Sequence, residues 1–181
     1  MFDPWLTCWS LAVEGDPIIT SSSQLLPVRR DGRATMLKIT SVEEEQRGGG
    51  QMEWWGGDGA ALVLARSNEA LLIERAEGGR SLAALSISGR DDEACAIACQ
   101  VAARLHAPRA AALPPLMPLD LWFSALEPVA RTQGGFLARS FEMANTLLGS
   151  PQDISLLHGD IHHDNILDFG ARGWLAIDPK G

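Results

Sequence analysis

The stretch HGDIHHDNILDFGARGWLAIDPK, residues 158–180, concentrates carboxylates, imidazoles and one carboxamide: Asp160, Asp164, Asp168, Asp178, His158, His162, His163 and Asn165. Phosphoryl transfer to a hydroxyl needs a carboxylate to orient the acceptor and take its proton. It also needs oxygen ligands for magnesium and a cation on the nucleotide phosphates. An aspartate followed five positions on by a metal-binding asparagine meets the first two needs. Asp160 and Asn165 have that separation. The segment is therefore expected to transfer phosphoryl groups, with Asp160 as base and Asn165 as one magnesium ligand.

Asp168 and Asp178 compete to be the second ligand. Asp168 stands in an Asp-Phe-Gly triplet, but only three residues beyond Asn165. Residues 165–178 read as a hairpin, with 165–167 and 174–177 extended and 170–173 as the turn. Folding it about Ala171–Arg172 sets Asn165 opposite Asp178, ~5 Å apart at Cα. Asp168 is left by the turn, ~10 Å along the strand from Asn165. Asp178 is accordingly the expected ligand and the Asp-Phe-Gly triplet a coincidence. Blander uses stand beside this reading. Aspartates and asparagines near turns ordinarily cap and shape them. His162 and His163 with Asp160 suggest a transition-metal site, although such sites recruit histidines at helical spacing. His158 is expected to bond locally and position the loop.

These side chains need a scaffold. The chain has 181 residues, enough for one domain or two small lobes, and an apolar fraction of 46% that supplies a core. Its net charge of −8 disfavours nucleic acid and anionic membrane as partners and suits a cationic ligand. The start, MFDPWLTCWS, lacks the basic and apolar regions of a leader peptide. No apolar run approaches the ~20 residues that would span a membrane, so a cytoplasmic location is expected. Cys8, Cys95 and Cys99 make no disulfide framework. Cys95 and Cys99 read as small core residues rather than half a metal site.

Residues 1–40 read as β-rich, with strands at 23–28 and 34–39 about a turn at Arg30-Asp31-Gly32, whose Asp-Gly pair is a hairpin signal. Residues 42–57 are a candidate helix weakened by Gly48-Gly49-Gly50. AALVLARSNEALLIERA reads as strand, turn at Ser67-Asn68, strand. DDEACAIACQVAARLHAP is the clearest helix: Asp91 or Asp92 caps it, Pro108 ends it, and Ala94, Ile97, Ala98, Val101 and Leu105 form its apolar stripe. A further helix spans about 121–148 with a break at Gly134-Gly135. A boundary near residues 77–79 divides a sheet lobe from a helical one.

The tail, LLHGDIHHDNILDFGARGWLAIDPKG, resembles the aminoglycoside phosphotransferases, in particular the streptomycin 6-kinase branch of the aminoglycoside/hydroxyurea resistance kinases. LPVRRDGRATMLKI, EWWGGDGAALVLA, ALLIERA and ARLHAP are similar too, so the resemblance extends over residues 15 to 181. It implies an α+β, protein-kinase-like two-lobe fold. Residues 1–77 would be a small β-rich N-lobe that binds nucleotide, and 78–181 an incomplete helical C-lobe ending in a catalytic β-hairpin. It implies ATP and Mg2+ as cofactors and a cationic antibiotic such as streptomycin as acceptor. Lys38 would be the strand lysine that reaches the phosphates. Its partner would be Glu45, with Glu44 in reserve, since Glu43-Glu44-Glu45 sets no register. Glu74-Arg75-Ala76 would be the hinge whose backbone, at Glu74 and Ala76, meets the adenine. Asp160 would be the base, and Asn165 and Asp178 the magnesium ligands.

The sequence departs from that pattern in three places. TSSSQLLPV stands where a glycine-rich phosphate loop would lie, so backbone and serine groups must cover the phosphates. Three glycines fall where the partner helix should be intact, at ~3 kcal/mol of helix propensity relative to alanine. The sequence stops three residues after Asp178, where family members continue with several helices. A partial gene product with exposed apolar surface, poor solubility and weak or absent activity is therefore expected. Hydroxyurea or another small hydroxyl compound as acceptor, and an inactive remnant, are the rival readings.

Overall fold

The computed structural model describes residues 1–180. Their contacts gather into two compact units, one of residues 1–114 with 156–180 and the other of 115–155. The first unit opens on α1 (Asp3–Cys8), a helix that the β-rich reading of residues 1–40 passed over. Pro4 lies in its first turn, where a missing N–H is not needed. Strands β1 (Ala12–Val13), β2 (Ile18–Ile19), β3 (Gln24–Arg30) and β4 (Arg33–Ile39) follow. Asp31 and Gly32 both have positive φ, +50° and +78°. That backbone matches the twist of a two-residue hairpin, and Arg30 pairs with Arg33 across it.

After α2 (Glu43–Trp55), β5 (Val63–Arg66) and β6 (Ala70–Glu74) complete an antiparallel sheet of order β1-β3-β4-β6-β5, with β2 also on β3. Alternation along the strands gives the sheet two apolar faces. Leu26, Val28, Leu37 and Leu72 pack with Phe2, Trp5, Leu6 and Trp9 of the N-terminal segment. Leu25, Met36, Lys38, Leu71 and Ile73 share a cleft with Gly48, Gly49 and Met52 of α2.

The three glycines lie inside α2 rather than ending it. A Cβ on Gly48 would stand 2.3 Å from the Pro179 carbonyl oxygen, and one on Gly49 would stand 3.1 Å from Arg66 Cδ. Close approach of the tail and of β5 therefore accounts for Gly48 and Gly49, and tertiary packing overrides their poor helix propensity.

Helix α3 (Leu82–Ile87) is capped by Ser81, whose Oγ accepts the Ala84 N–H at 3.2 Å. Helix α4 (Asp91–His106) buries Ala94, Val101 and Leu105, with Ile97 and Ala98 half-buried. Its cap position is Arg90, without a side-chain cap bond, and Asp91 accepts instead from Ser86 Oγ at 2.5 Å. Cys95 and Cys99 face solvent on this helix, as does Cys8 on α1. They are not core residues, because the buried stripe runs through positions 94, 101 and 105.

The second unit holds α5 (Leu119–Trp122), a 3-10 turn (Phe123–Ala125), α6 (Leu126–Gln133) and α7 (Gly135–Gly149). Gly134 separates α6 from α7, where the sequence placed the break. Phe136, Met143 and Leu147 are exposed here and line an open apolar groove with Leu119 and Phe123.

The chain then returns to the first unit with a 3-10 turn (His163–Asn165) and the hairpin β7 (Ile166–Asp168) and β8 (Trp174–Ala176). The pairs are Ile166–Ala176 and Asp168–Trp174. Asn165 therefore stands opposite Ile177, whose N–H donates to its carbonyl at 2.9 Å. This is one position off the expected pairing with Asp178. The cause is the connection: residues 170–172 form a 3-10 turn centred on Ala171, closed by Phe169 N–H donating to Gly173 O at 2.8 Å. No helix of the described residues is long and apolar enough to cross a membrane.

Candidate active site

Lys38 projects from β4 into a cleft of ≈ 480 Å³ lined also by Glu45, Glu74, Ala76, Asn165, Asp178 and Lys180. Its ammonium pairs with two carboxylates at once, Glu45 of α2 and Asp178 beyond β8. Glu45 is 5% exposed. Its Oε1 accepts from Ser22 Oγ at 2.8 Å and from Lys180 Nζ at 3.1 Å, while Oε2 faces Lys38. Burial raises the pKa of Glu45, but Lys38, Ser22 and Lys180 outweigh it and hold the carboxyl at about 2. Of the three consecutive glutamates, only Glu45 is buried, and Glu43 pairs instead with Arg47 on the outer face.

Asp178 reaches Lys38 although the hairpin register is shifted. Its φ is +57°, a left-handed backbone that takes it out of the ladder. Residues 178–180 then run between α2 and the loop 158–165. Pro179 lies against Gly48, and Lys180 O would stand 2.8 Å from a Cβ on Gly159. Lys180 N–H donates to His158 O at 2.9 Å.

Asn165 is buried, and its Nδ2 donates to the Asp160 carbonyl at 2.9 Å and to Asp160 Oδ2 at 3.3 Å. Asp160 is half-buried beside the cleft. His158, 2% exposed, stacks on Trp55 with ring centroids 6.0 Å apart. Its Nδ1 accepts the Asp160 N–H at 3.3 Å, and its Nε2 donates to Ile177 O at 2.9 Å. Burial pushes its pKa down, so the ring is neutral, with the proton on Nε2. It ties the Asp160 loop to the hairpin, the local positioning expected of it.

The donors suit magnesium. With its nitrogen spent on Asp160, Asn165 is left with Oδ1 for a cation, and Asp178 adds a carboxylate, both hard oxygens. The carboxylate already meets a positive charge, the Lys38 ammonium. Among the described residues no three histidine, cysteine or acidic side chains gather as a metal cluster.

Glu74, Arg75 and Ala76 line the same cleft. The Glu74 side chain is engaged elsewhere: it accepts the Leu62 N–H at 2.6 Å and pairs with Arg172 from the hairpin turn. Asp168 is not a lining residue of this cleft. It is buried under Arg80, whose guanidinium bonds it at 2.7 and 2.8 Å and whose backbone N–H donates at 3.3 Å, and the Gly170 N–H donates to it at 3.0 Å. Arg80 above all, with these amides, holds its carboxyl well below the usual carboxylate range. Gly78 donates its N–H to Asp168 O at 2.9 Å, and a Cβ there would overlap the carboxyl group at 2.1 Å. Asp168 thus fastens residues 78–80 to the hairpin. Sequence reasoning missed Ser22, Arg80 and Lys180. The positions of Ser22 in the TSSSQLLPV run and of Lys180 two residues after Asp178 were the available signals.

The family model described as aminoglycoside/hydroxyurea antibiotic resistance kinase matches residues 8–181. A streptomycin 3''-kinase from Klebsiella pneumoniae is 48% identical over 173 residues, which cover 96% of this chain and 65% of that protein. A streptomycin 6-kinase from Streptomyces griseus is 32% identical over 185 residues, 95% of this chain and 58% of that protein. The chain thus spans less than two thirds of the length of either relative. The solved streptomycin–ATP–APH(2'')-IIa ternary complex superposes with a TM-score of 0.58 at 11% identity, over 98% of this chain and 67% of that one. The fold is α+β and protein-kinase-like.

Proposed function

The chain belongs to the aminoglycoside/hydroxyurea antibiotic resistance kinases, and on that premise we propose that it moves the γ-phosphoryl group of ATP to a hydroxyl of an aminoglycoside such as streptomycin. The observation that carries this reading is the Lys38 ammonium held by Glu45 and Asp178 in one cleft with Asn165. In this reading residues 1–77 are the nucleotide lobe, and 78–181 carry the loop and hairpin. Backbone at Glu74 and Ala76 meets the adenine, and the serine turn at 20–23 covers the phosphates. Asp160 orients the acceptor hydroxyl and takes its proton as the new O–P bond forms, while the bond from the γ-phosphorus to the β,γ-bridging oxygen breaks and ADP leaves. Asn165 and Asp178 hold Mg2+, which when bound neutralises charge on the phosphates. Lys38 fixes the nucleotide. A net charge of −8 favours a polycationic acceptor.

Calorimetry of Mg·ATP binding, followed by ADP release with streptomycin and separately with hydroxyurea, tests the proposal. Binding that is lost in Asp178→Ala and turnover with streptomycin support it. NMR of the product separates the 3'' from the 6 position, the two positions that the relatives' names carry. Failure of the wild-type chain to bind Mg·ATP refutes it. Binding without turnover on any hydroxyl acceptor would replace it with a nucleotide-binding role alone.

A further inference from the structure

We propose that Arg172 is a positioning residue, which fixes the span between residues 74–76 and Asp178 and so lets one Mg·ATP engage both. The proposal rests on the reading of the cleft as a nucleotide site, with adenine at Glu74 and Ala76 and magnesium at Asp178.

The two ends of that ligand are held by different parts of the chain. Residues 74–76 close β6 and follow it, whereas Asp178 follows β8 of the hairpin. A ligand gripped at both ends gains affinity when the separation of the two grips matches its length. The gain falls as that separation becomes free to vary. The hairpin must therefore be set against the end of β6.

Arg172 makes that tie from the hairpin turn. Its Nη1 pairs with Glu74 Oε1, and its Nη2 donates to the Gly57 carbonyl at 2.6 Å. One planar guanidinium thus spans two segments with two nitrogens, which a single ammonium cannot reproduce. Both segments are themselves anchored. Glu74 Oε1 also accepts the Leu62 N–H at 2.6 Å, and the Glu74 N–H donates to Leu62 O at 3.0 Å. A Cβ on Gly57 would stand 3.2 Å from Nη2, so a glycine there leaves the guanidinium its room.

The rest of the hairpin carries this placement to Asp178. Its turn is closed by the Gly173 N–H donating to Gly170 O at 3.0 Å, beside the Phe169 bond. The middle of β8 lies along residues 59–61: Ala176 N–H donates to Gly59 O at 2.8 Å, and Ala61 N–H to Ala176 O at 2.9 Å. On the other strand, Ser81 bridges Leu167, which holds residues 78–81 by backbone alone. Arg172 supplies the direct side-chain link to the end of β6. It is not a lining residue of the cleft, so it acts through Glu74 and touches no ligand.

Calorimetry of metal-free ATP and of Mg·ATP, on wild type, Arg172→Met and Arg172→Lys, tests the proposal. Metal-free ATP places no cation on Asp178, so its affinity should stay within about twofold in both variants. Mg·ATP binding should weaken about threefold to tenfold in Arg172→Met, where an ion pair and a charged bond to Gly57 O are lost together. Arg172→Lys should recover only part of that loss. The Arg172 side chain is 40% exposed, so both variants should fold, and thermal melts without nucleotide check this. Equal losses for the two ligands would mean that Arg172 only supports the fold. No loss for Mg·ATP would mean that it does not act, and full recovery in Arg172→Lys would mean that spanning two segments is immaterial. Each of these overturns the proposal. A wild type that fails to bind Mg·ATP overturns the nucleotide reading and this proposal together, whereas a wild type that binds beside an equally tight Arg172→Met overturns this proposal alone.

Discussion

Alanine at Gly48 sets two forces against each other. Alanine is favoured over glycine in a helix interior by about 1 kcal/mol. At Gly50 nothing opposes that gain, since the nearest heavy atom to an added Cβ is Arg66 Nη2 at 4.0 Å. At Gly48 the new carbon would stand 2.3 Å from the Pro179 oxygen. Either α2 or the tail must then move by about 1.1 Å to restore an ordinary contact. Overpacking of this kind costs about 1–3 kcal/mol. Gly50→Ala should therefore stabilise the protein by about 1 kcal/mol, and Gly48→Ala should fall between neutral and about 2 kcal/mol destabilising. In a chain of this size 1 kcal/mol moves Tm by about 2–4 °C, so scanning calorimetry resolves the two variants. A second readout follows the consequence for the cleft. Displacing residues 178–180 should weaken Mg·ATP binding in Gly48→Ala and leave it unchanged in Gly50→Ala. A Gly48→Ala protein that melts as high as Gly50→Ala would show that the tail does not press on α2, and the account of the three glycines would fall.

Asp160→Asn should lower turnover by about 10²–10⁴-fold, the scale of a lost general base, with Mg·ATP affinity retained; ADP release and calorimetry read the two separately. Asp168→Ala should destabilise by about 1.5–3 kcal/mol through its lost charged hydrogen bonds and spare magnesium dependence, whereas Asp178→Ala should do the reverse; melts and magnesium titrations decide. Glu45 is held at about 2 against an ordinary 4.5, so its folded-state pKa is depressed. The stability it contributes is present above about pH 4.5 and lost as pH falls from there to about 2. Glu45→Gln should flatten the acid limb of a stability–pH curve over that window.

The parts of the fold written in local signals were legible in the sequence. Asp31-Gly32 named its own hairpin, and the stripe from Ala94 to Leu105 named α4. Asp160 and Asn165 were paired by spacing alone, and the structure places them in hydrogen-bond contact. What escaped was decided at a distance. Local propensity argued against Gly48-Gly49-Gly50 as helix, whereas the atoms that need those glycines belong to Pro179 and Arg66. The hairpin register hung on whether the turn centred on Ala171 or beside it, a difference of one residue that its sequence does not encode. It mattered less than expected, since Asp178 leaves the ladder through a left-handed backbone and still reaches Lys38. Glu43, Glu44 and Glu45 are chemically identical, and only the rotation of α2 over the sheet selects among them. The exposure of Cys95 and Cys99 likewise follows from which face of α4 packs inward.

The ion cluster joins residues that are 140 positions apart in one pair and 135 in the other. Closing so long a loop costs about 4 kcal/mol of chain entropy, repaid only once sheet, α2 and hairpin have all docked. A molecule caught midway through folding keeps its lysine and its aspartate in separate places. The cluster is thus a property of the completed tertiary structure and of no single segment.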